Sequence, residues 1–184
     1  MSAEEKKYTI FQVGINLAAA CLISGLIIAA VYFVTAPIAS KNAIIQQQKA
    51  MQALVKEADE FVEVEGQEEW FAAEKGGEII AYVIETESQG YGGPIRLLVA
   101  VTPDAKVIDF SILQANETPG LGSNAGDEPF RKQFWDKGLD SLQVVKEPTK
   151  DKIQAMTGAT ITSRAVTNGI IEAVEAVESY VGGK

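Results

Sequence analysis

The densest group of reactive side chains in this sequence lies near its C-terminal end. The segment Met156–Ser163 reads MTGATITS, so three threonines and one serine surround a single glycine. Hydroxyl groups and backbone N–H groups at the start of a helix, together with the positive end of the helix dipole, favour a bound phosphate. The same residues also make a common helix cap, and their spacing alone favours that simpler interpretation.

Two glycine-rich segments precede it and are the next candidates for a binding site. Asn116–Gly122 reads NETPGLG and is predicted to be a loop whose backbone can approach a flat ligand closely. It lacks the third glycine of a dinucleotide-binding fingerprint. Gly90–Pro94 reads GYGGP, in which Tyr91 either stacks on a ring or closes a hairpin. Tight surface turns explain both segments at least as well, so neither establishes a site by itself.

The composition limits the chemistry that these segments can perform. The chain of 184 residues has no histidine and one cysteine, Cys21. It therefore lacks the residues for a Ser-His-Asp triad, a histidine metal site, an internal disulfide or a cysteine-ligated iron–sulfur cluster. A formal net charge of −9 argues against a nucleic-acid partner, which would require a basic surface. We expect no metal and no catalytic side chain, which leaves an organic cofactor as one option for redox chemistry.

A membrane anchor is predicted at the N-terminus. No charged residue occurs between Lys7 and Lys41, and Ile10–Val34 supplies the roughly 20 mostly apolar residues that span a bilayer. This apolar run is longer than the core of a cleaved secretory signal, so a retained anchor is the favoured interpretation. Lys6 and Lys7 directly precede the span, which predicts a cytoplasmic N-terminus by the positive-inside rule. The domain that follows is then expected outside the cytoplasm.

The rest of the chain predicts a small domain with both strands and helices. Three consecutive runs rich in β-branched residues, joined by short turns, indicate an antiparallel meander. The predicted elements are a helix over 40–61, strands over 78–86, 95–102 and 107–113, a helix over 127–137, a strand over 142–145, and a long final helix. Ser163 is the expected N-cap of that final helix, and Gly182-Gly183 is its expected end. The fold class is therefore α+β, with one N-terminal transmembrane helix followed by a small, mostly antiparallel sheet packed with helices.

Taken together, these segments resemble a known family. Thr157–Ser163 is similar to the flavin-attachment motif of the FMN-binding domain, and Glu117–Gly122 and Gly90–Pro94 resemble further segments of that family in the same chain order. The resemblance covers nearly the whole chain, including the anchor. This domain occurs in the G subunit of the Rnf electron-transport complex, an ion-translocating ferredoxin:NAD oxidoreductase. It also occurs in the C subunit of the sodium-pumping NADH:quinone reductase, although the short chain is more similar to the Rnf protein.

The resemblance implies a covalently bound flavin. In the family, FMN is joined through its phosphate to the threonine that closes the Thr/Ser-Gly-Ala-Thr motif, which is Thr160 here. A separate flavin transferase forms that phosphoester, so the chain needs no catalytic base of its own. The family's usual Asp, six residues before the modified threonine, is replaced by Gln154. The implied cofactor-binding residues are Thr160, Thr157, Gly158, Ala159, Thr162 and Ser163 at the phosphate, and Glu117, Thr118, Gly120, Leu121 and Tyr91 at the flavin ring.

The resemblance also implies a place in a larger assembly. The implied organisation is a cytoplasmic N-terminus at 1–9, a transmembrane helix at 10–36, a membrane-proximal helix or linker at 37–61, and an extracytoplasmic FMN-binding domain at 62–184. Such a chain relays electrons through its flavin between the other proteins of an Rnf-type complex in the cell membrane. Three alternatives stay open: the C subunit of a quinone reductase, a cofactor-free structural anchor, and a tethered domain that binds a small phosphorylated ligand reversibly.

Overall fold

The computed structural model describes residues 9–183, and the chain divides into two compact units, Met1–Ile45 and Gln46–Lys184. In the first unit, every described residue from Ile10 onwards is helical and belongs to helix α1, Ile10–Leu54. By length and composition, α1 is apolar enough to cross a membrane. The predicted cytoplasmic segment, with Lys6 and Lys7, lies outside the described residues except for its last position.

Helix α1 ends earlier than the apolar pattern over 40–61 predicts. It stops at Leu54, and the Asp59 N–H then donates to the Glu74 carbonyl at 2.7 Å. Phe61 lies opposite Ala73 in a strand pair. Backbone groups of Asp59 and Phe61 are therefore used by the edge of the sheet, and the predicted helix is wrong for its last two turns, about seven residues.

The second unit is built on a five-stranded antiparallel meander, in which each strand pairs with the next along the chain. Its strands are β1 (Glu60–Glu63), β2 (Trp70–Lys75), β3 (Glu78–Gln89), β4 (Pro94–Val101) and β5 (Val107–Gln114). The predicted meander is confirmed, and its three predicted strands are β3, β4 and β5. Strands β1 and β2 are missed because they are short, and because β2, with the sequence WFAAEK, contains two alanines and ends in charged residues.

Short elements and one long helix follow the meander. They are helix α2 (Glu128–Arg131), strand β6 (Val144–Val145), strand β7 (Ile153–Gln154), which pairs in parallel with β6, and helix α3 (Thr160–Gly182). The helix predicted over 127–137 is only partly correct, since α2 passes into a single 3₁₀ turn, Lys132–Phe134. Asp136 has a φ of 58°, and its N–H donates to the Val107 carbonyl at 2.8 Å. This contact with the start of β5 ends the helical stretch.

Both faces of the sheet are covered, which fixes the position of α3. One face packs on α3, where the fully buried residues include Leu97, Val99 and Phe110 of the sheet and Val166, Ile170 and Val174 of the helix. The other face packs on Met51, Leu54, Val55 and Ala58, from the end of α1 and the turn after it. The Ser88 hydroxyl donates to the Ala165 carbonyl at 2.7 Å and ties β3 to the second turn of α3.

The contact between α3 and the sheet predicts an effect of substituting Gly169. A Cβ at this position would lie 2.8 Å from Leu97 Cδ1 and 3.0 Å from Thr86 Oγ1, both in the buried face. We expect Gly169→Val to lower the free energy of unfolding by about 1–3 kcal/mol, because the core must move to accept the added methyl groups. Chemical denaturation followed by circular dichroism measures this change.

Gly182→Val is the matched control for this prediction. Gly182 lies at the end of the same helix, and a Cβ there meets no atom within 4 Å. The control is expected to unfold at the same denaturant concentration as the unmodified chain. Equal stability of the two variants would contradict the close packing assigned to Gly169.

Candidate functional site

The hydroxyl-rich segment forms the start of helix α3, although not with the predicted cap. The helix begins at Thr160, Ala159 occupies the N-cap position, and no side chain caps the helix. Ser163 is buried in the first turn, where its Oγ accepts the Met156 N–H at 3.0 Å and donates to the Ala159 carbonyl at 2.9 Å. The prediction of Ser163 as N-cap is therefore wrong, because this hydroxyl fixes the chain that enters the helix.

A carboxylate clamp joins three separate segments beside Thr160. The Glu117 carboxylate accepts the Gly92 N–H at 3.0 Å through Oε1, and it accepts the Thr162 hydroxyl through Oε2. Gly92 belongs to the GYGGP segment, Glu117 to the NETPGLG loop, and Thr162 to the first turn of α3. The three segments singled out in the sequence therefore meet at one point.

Glycines make this close approach possible. A Cβ on Gly92 would overlap the carbonyl oxygen of Asn116. A Cβ on Gly122 would lie 2.7 Å from Thr162 Oγ1, and one on Gly90 would lie 2.6 Å from Ile95 Cδ1. The clamp can form because these three positions carry no side chain. Gly122 was not assigned a site role from the sequence, and its place as the second glycine of Gly120-Leu121-Gly122 was the only available signal.

A shallow cavity of about 280 Å³ opens at the N-terminal end of α3. Tyr91, Gly158, Ala159, Thr160 and Ile161 line it. Its rim is apolar and accessible, since Tyr91 is 70% exposed and Ile161 is 55% exposed. The arrangement places the Thr160 side chain beside a surface that is suited to a flat, mostly apolar group.

The loop after Glu117 lies against Gly158, which is one of the residues that line this cavity. Gly158 has a φ of 76°, and a Cβ there would lie 3.1 Å from Leu121 Cδ2, so Leu121 covers the backbone of the motif. Leu121 is 43% exposed. Its N–H donates to the Thr118 carbonyl at 3.1 Å, and the Gly120 N–H donates to the Ser123 hydroxyl at 2.9 Å. These bonds hold the loop in a tight turn against the motif.

Thr157 and Gln154 line a second cavity of about 330 Å³, next to the first along the chain. The side chain of Gln133 holds Gln154 by two bonds to its backbone, since Gln133 Oε1 accepts the Gln154 N–H at 2.7 Å and Gln133 Nε2 donates to its carbonyl at 3.4 Å. Sequence reasoning missed Gln133, because no local pattern connects two residues that are 21 positions apart.

In α2, a hydrogen bond from Lys132 lowers the pKa of the exposed Glu128 carboxyl.

The structure thus brings together most of the predicted binding residues. Thr160, Gly158, Ala159 and Tyr91 share one cavity, and Leu121 borders it. Thr162 and Ser163 are buried, and their hydroxyls are engaged by Glu117, Met156 and Ala159. These hydrogen bonds stabilise the first turn of α3. A direct contact of the Thr162 or Ser163 hydroxyl with a ligand stays a prediction.

Comparison with known proteins identifies the family of this chain. The FMN-binding domain family matches residues 90–175. The G subunit of the proton-translocating ferredoxin:NAD(+) oxidoreductase complex of Clostridium ljungdahlii is 55% identical over 185 residues, which cover 100% of both chains. Its counterpart in the Na(+)-translocating complex of Acetobacterium woodii is 35% identical over 60% of this chain and 56% of its own. The G subunit of the ion-translocating oxidoreductase complex of Methanosarcina acetivorans is 30% identical over 74% of this chain and 78% of its own.

Solved structures share the fold. The C subunit of the Na(+)-translocating NADH-quinone reductase of Parabacteroides distasonis superposes with a TM-score of 0.52 and 22% identity, over 62% of this chain and 63% of its own. NqrC of Shewanella oneidensis gives a TM-score of 0.51 and 19% identity, over 70% of this chain and 73% of its own. These matches confirm the predicted fold, and the relatives confirm the resemblance inferred from the motifs. The chain therefore belongs to the family of G subunits of ion-translocating ferredoxin:NAD(+) oxidoreductase complexes, and its FMN-binding domain makes it a flavoprotein component for electron transfer.

Proposed function

We propose that this chain carries FMN in a covalent phosphoester with Thr160 and relays electrons through it within an Rnf-type complex. One observation carries the proposal: Thr160 is the first residue of α3, and its side chain lines a cavity with an apolar rim. The first turn of that helix has no side-chain cap. A phosphate on Thr160 Oγ would therefore lie at the positive end of the helix, where backbone N–H groups favour a negative charge.

The residues before Thr160 allow a phosphate to approach the backbone. Gly158 adopts a left-handed conformation, carries no side chain of its own and is exposed, with Leu121 lying against one side of it. Attachment replaces the Oγ–H bond of Thr160 by an Oγ–P bond. We assign the supply of the flavin phosphate, and the removal of its leaving group and of the hydroxyl proton, to a separate flavin transferase. The chain itself then supplies the hydroxyl, its position and the surrounding charge.

The apolar rim is suited to the flavin ring. Binding sites for small molecules usually enclose roughly 300–1,000 Å³, and this cavity of about 280 Å³ lies just below that range. We infer that the ring rests on the rim formed by Tyr91, Leu121 and Ile161 and is not enclosed. When bound, FMN supplies the reversible uptake and release of electrons. The open rim leaves the ring accessible to a redox partner.

In this proposal Glu117 acts on the site through the segments that it joins. Both of its carboxylate oxygens already accept hydrogen bonds, from Gly92 and Thr162. The clamp thereby joins the loops that carry Tyr91 and Leu121 to the first turn of α3. Thr118 and Gly120 contribute the turn that presents Leu121. The ring contacts proposed for Glu117, Thr118 and Gly120 are thus secondary to this positioning role.

The remaining parts of the proposal concern membrane and partners. We propose that α1 anchors the chain in the cell membrane, with the N-terminus in the cytoplasm and the FMN-binding domain outside. The whole-chain likeness to an Rnf-type G subunit supports an Rnf-type complex over a quinone reductase, because the likeness to the quinone-reductase proteins, at 19–22% identity, is one of fold alone. The electron donor and acceptor are then other members of that complex.

The first prediction concerns the attachment residue. Co-expression of the chain with a flavin transferase is expected to yield a protein whose intact mass includes one FMN. Thr160→Val should lose that added mass and the in-gel flavin fluorescence, because it removes the hydroxyl and keeps a side chain of similar shape. Thr160→Ser is the matched control, which retains a hydroxyl and should still be modified. Covalent flavin that survives in the Thr160→Val protein would refute the assignment, and an unmodified parent chain would support the cofactor-free anchor.

The second prediction tests the clamp. Gly92→Ala is expected to reduce the flavinylated fraction several-fold, because the new methyl group collides with the Asn116 carbonyl and separates the two loops. Gly126→Ala is the control, since a Cβ there meets only Ile112 Cδ1, at 3.8 Å. Intact-mass spectrometry gives the modified fraction, and circular dichroism shows whether each variant is folded. A folded Gly92→Ala protein with full flavin content would argue against the clamp.

The third prediction tests orientation in the membrane. In a Cys21→Ser background, Lys146→Cys should react with a membrane-impermeant maleimide in intact spheroplasts, since Lys146 is exposed on the proposed outer domain. Ser2→Cys should react only after the membrane is permeabilised. The reverse pattern of labelling would place the FMN-binding domain in the cytoplasm.

A further inference from the structure

We propose that Arg164 is the side-chain counter-ion of the phosphodiester on Thr160. This inference rests on the proposed attachment of FMN to that residue, and it adds a phosphate-binding side chain outside the attachment motif. The chain has three arginines, Arg96, Arg131 and Arg164. Arg164 differs from the other two in its place beside the attachment residue and in the absence of a partner among residues 9–183.

Helix geometry directs Arg164 towards Thr160. Both residues belong to α3, and they are four positions apart, so their Cβ atoms lie on the same face at a separation of about 5–6 Å. Side chains in a helix lean towards its N-terminus, so a long side chain covers the turn before its own Cα. The side chain of Arg164 is therefore long enough, and leans in the right direction, for its guanidinium to reach the turn that begins with Thr160.

The other two arginines are engaged elsewhere in the domain. Arg96 forms an ion pair with Glu85, and Arg131 forms one with Asp109, to which its Nε also donates at 3.1 Å. Within residues 9–183, the exposed side chain of Arg164 forms neither a hydrogen bond nor an ion pair. Its guanidinium is thus available to an anion at the start of the helix.

No carboxylate competes for this guanidinium from the positions that face it on α3. The residues three and four positions away are Thr160, Ile161, Thr167 and Asn168, and all of them are uncharged. The acidic residues of α3 are Glu172, Glu175 and Glu178, two or more turns further along. The nearby Glu117 carboxylate is occupied by Gly92 and Thr162.

The chemistry of the two groups is complementary. A phosphodiester carries one negative charge on two free oxygens, and a guanidinium offers paired N–H donors in a planar fork that fits two such oxygens. The positive charge also offsets, at this point, the repulsion between a phosphate and a chain whose net charge is −9. Arg164 would thus limit the motion of the linkage and thereby orient the flavin ring.

The ³¹P NMR resonance of the linkage tests this role in the full-length flavinylated chain in detergent. Arg164→Gln should shift the phosphodiester resonance and lower the fluorescence anisotropy of the flavin, because the neutral side chain no longer holds the phosphate. Arg164→Lys should restore part of both values. Lys146→Gln removes an exposed charge away from the site and should change neither. An unchanged resonance and anisotropy in Arg164→Gln would overturn the inference.

A second measurement does not depend on whether the Arg164 variants accept flavin. The Nε–H resonance of Arg164, identified by its loss in Arg164→Lys, is compared between the flavinylated chain and the Thr160→Val protein. A shift of this resonance with slower exchange in the flavinylated chain supports the contact, and identical signals overturn it. If the parent chain carries no flavin on Thr160, the proposed function and this inference both fail. If it carries the flavin and the Arg164 signal is unaffected, only the inference fails.

Discussion

The carboxylate of Glu117 is the contact on which the candidate site depends. It connects residues that are 25 and 45 positions away in the chain, through bonds to Gly92 and to Thr162. Each oxygen accepts one donor, so removal of the carboxylate would leave two loops and a helix start without their common partner. Tyr91 and Leu121 are exposed, and the clamp joins the two loops that carry them to the first turn of α3.

The clamp can act only because the rest of the domain holds α3 in place. The helix packs along one face of the meander, and its far end is fixed by Tyr180, whose ring centroid lies 5.6 Å from that of Trp70 and 5.7 Å from that of Tyr82. Near its start, Ser88 binds the Ala165 carbonyl. A rigid helix thus presents its first residue at a constant position, whereas the loops around it are held by a few hydrogen bonds. In the proposed function, this division suits a site that admits a flavin transferase and later a redox partner.

The composition agrees with a site of this kind. A chain without histidine and with a single cysteine offers few groups for acid–base or metal chemistry, and the proposed cofactor is one whose redox chemistry belongs to the organic ring. In the proposed function the protein contributes attachment, orientation and electrostatics. Thr160 provides the attachment point, and the Glu117 clamp and the apolar rim provide the orientation. The helix start and Arg164 provide the favourable electrostatics.

Local patterns in the chain were sufficient for the long apolar N-terminal helix, the antiparallel meander, the final helix and the family resemblance of the hydroxyl-rich motif, because apolar periodicity and short motifs involve neighbouring residues. They were insufficient where distant segments meet. The end of α1 and the early end of the helix after Asp127 each coincide with a hydrogen bond to a distant strand, from Asp59 to Glu74 and from Asp136 to Val107. The pairing of Gln133 with Gln154 and of Glu117 with Thr162 has no signature in the sequence, since it exists only after the sheet and α3 have packed together.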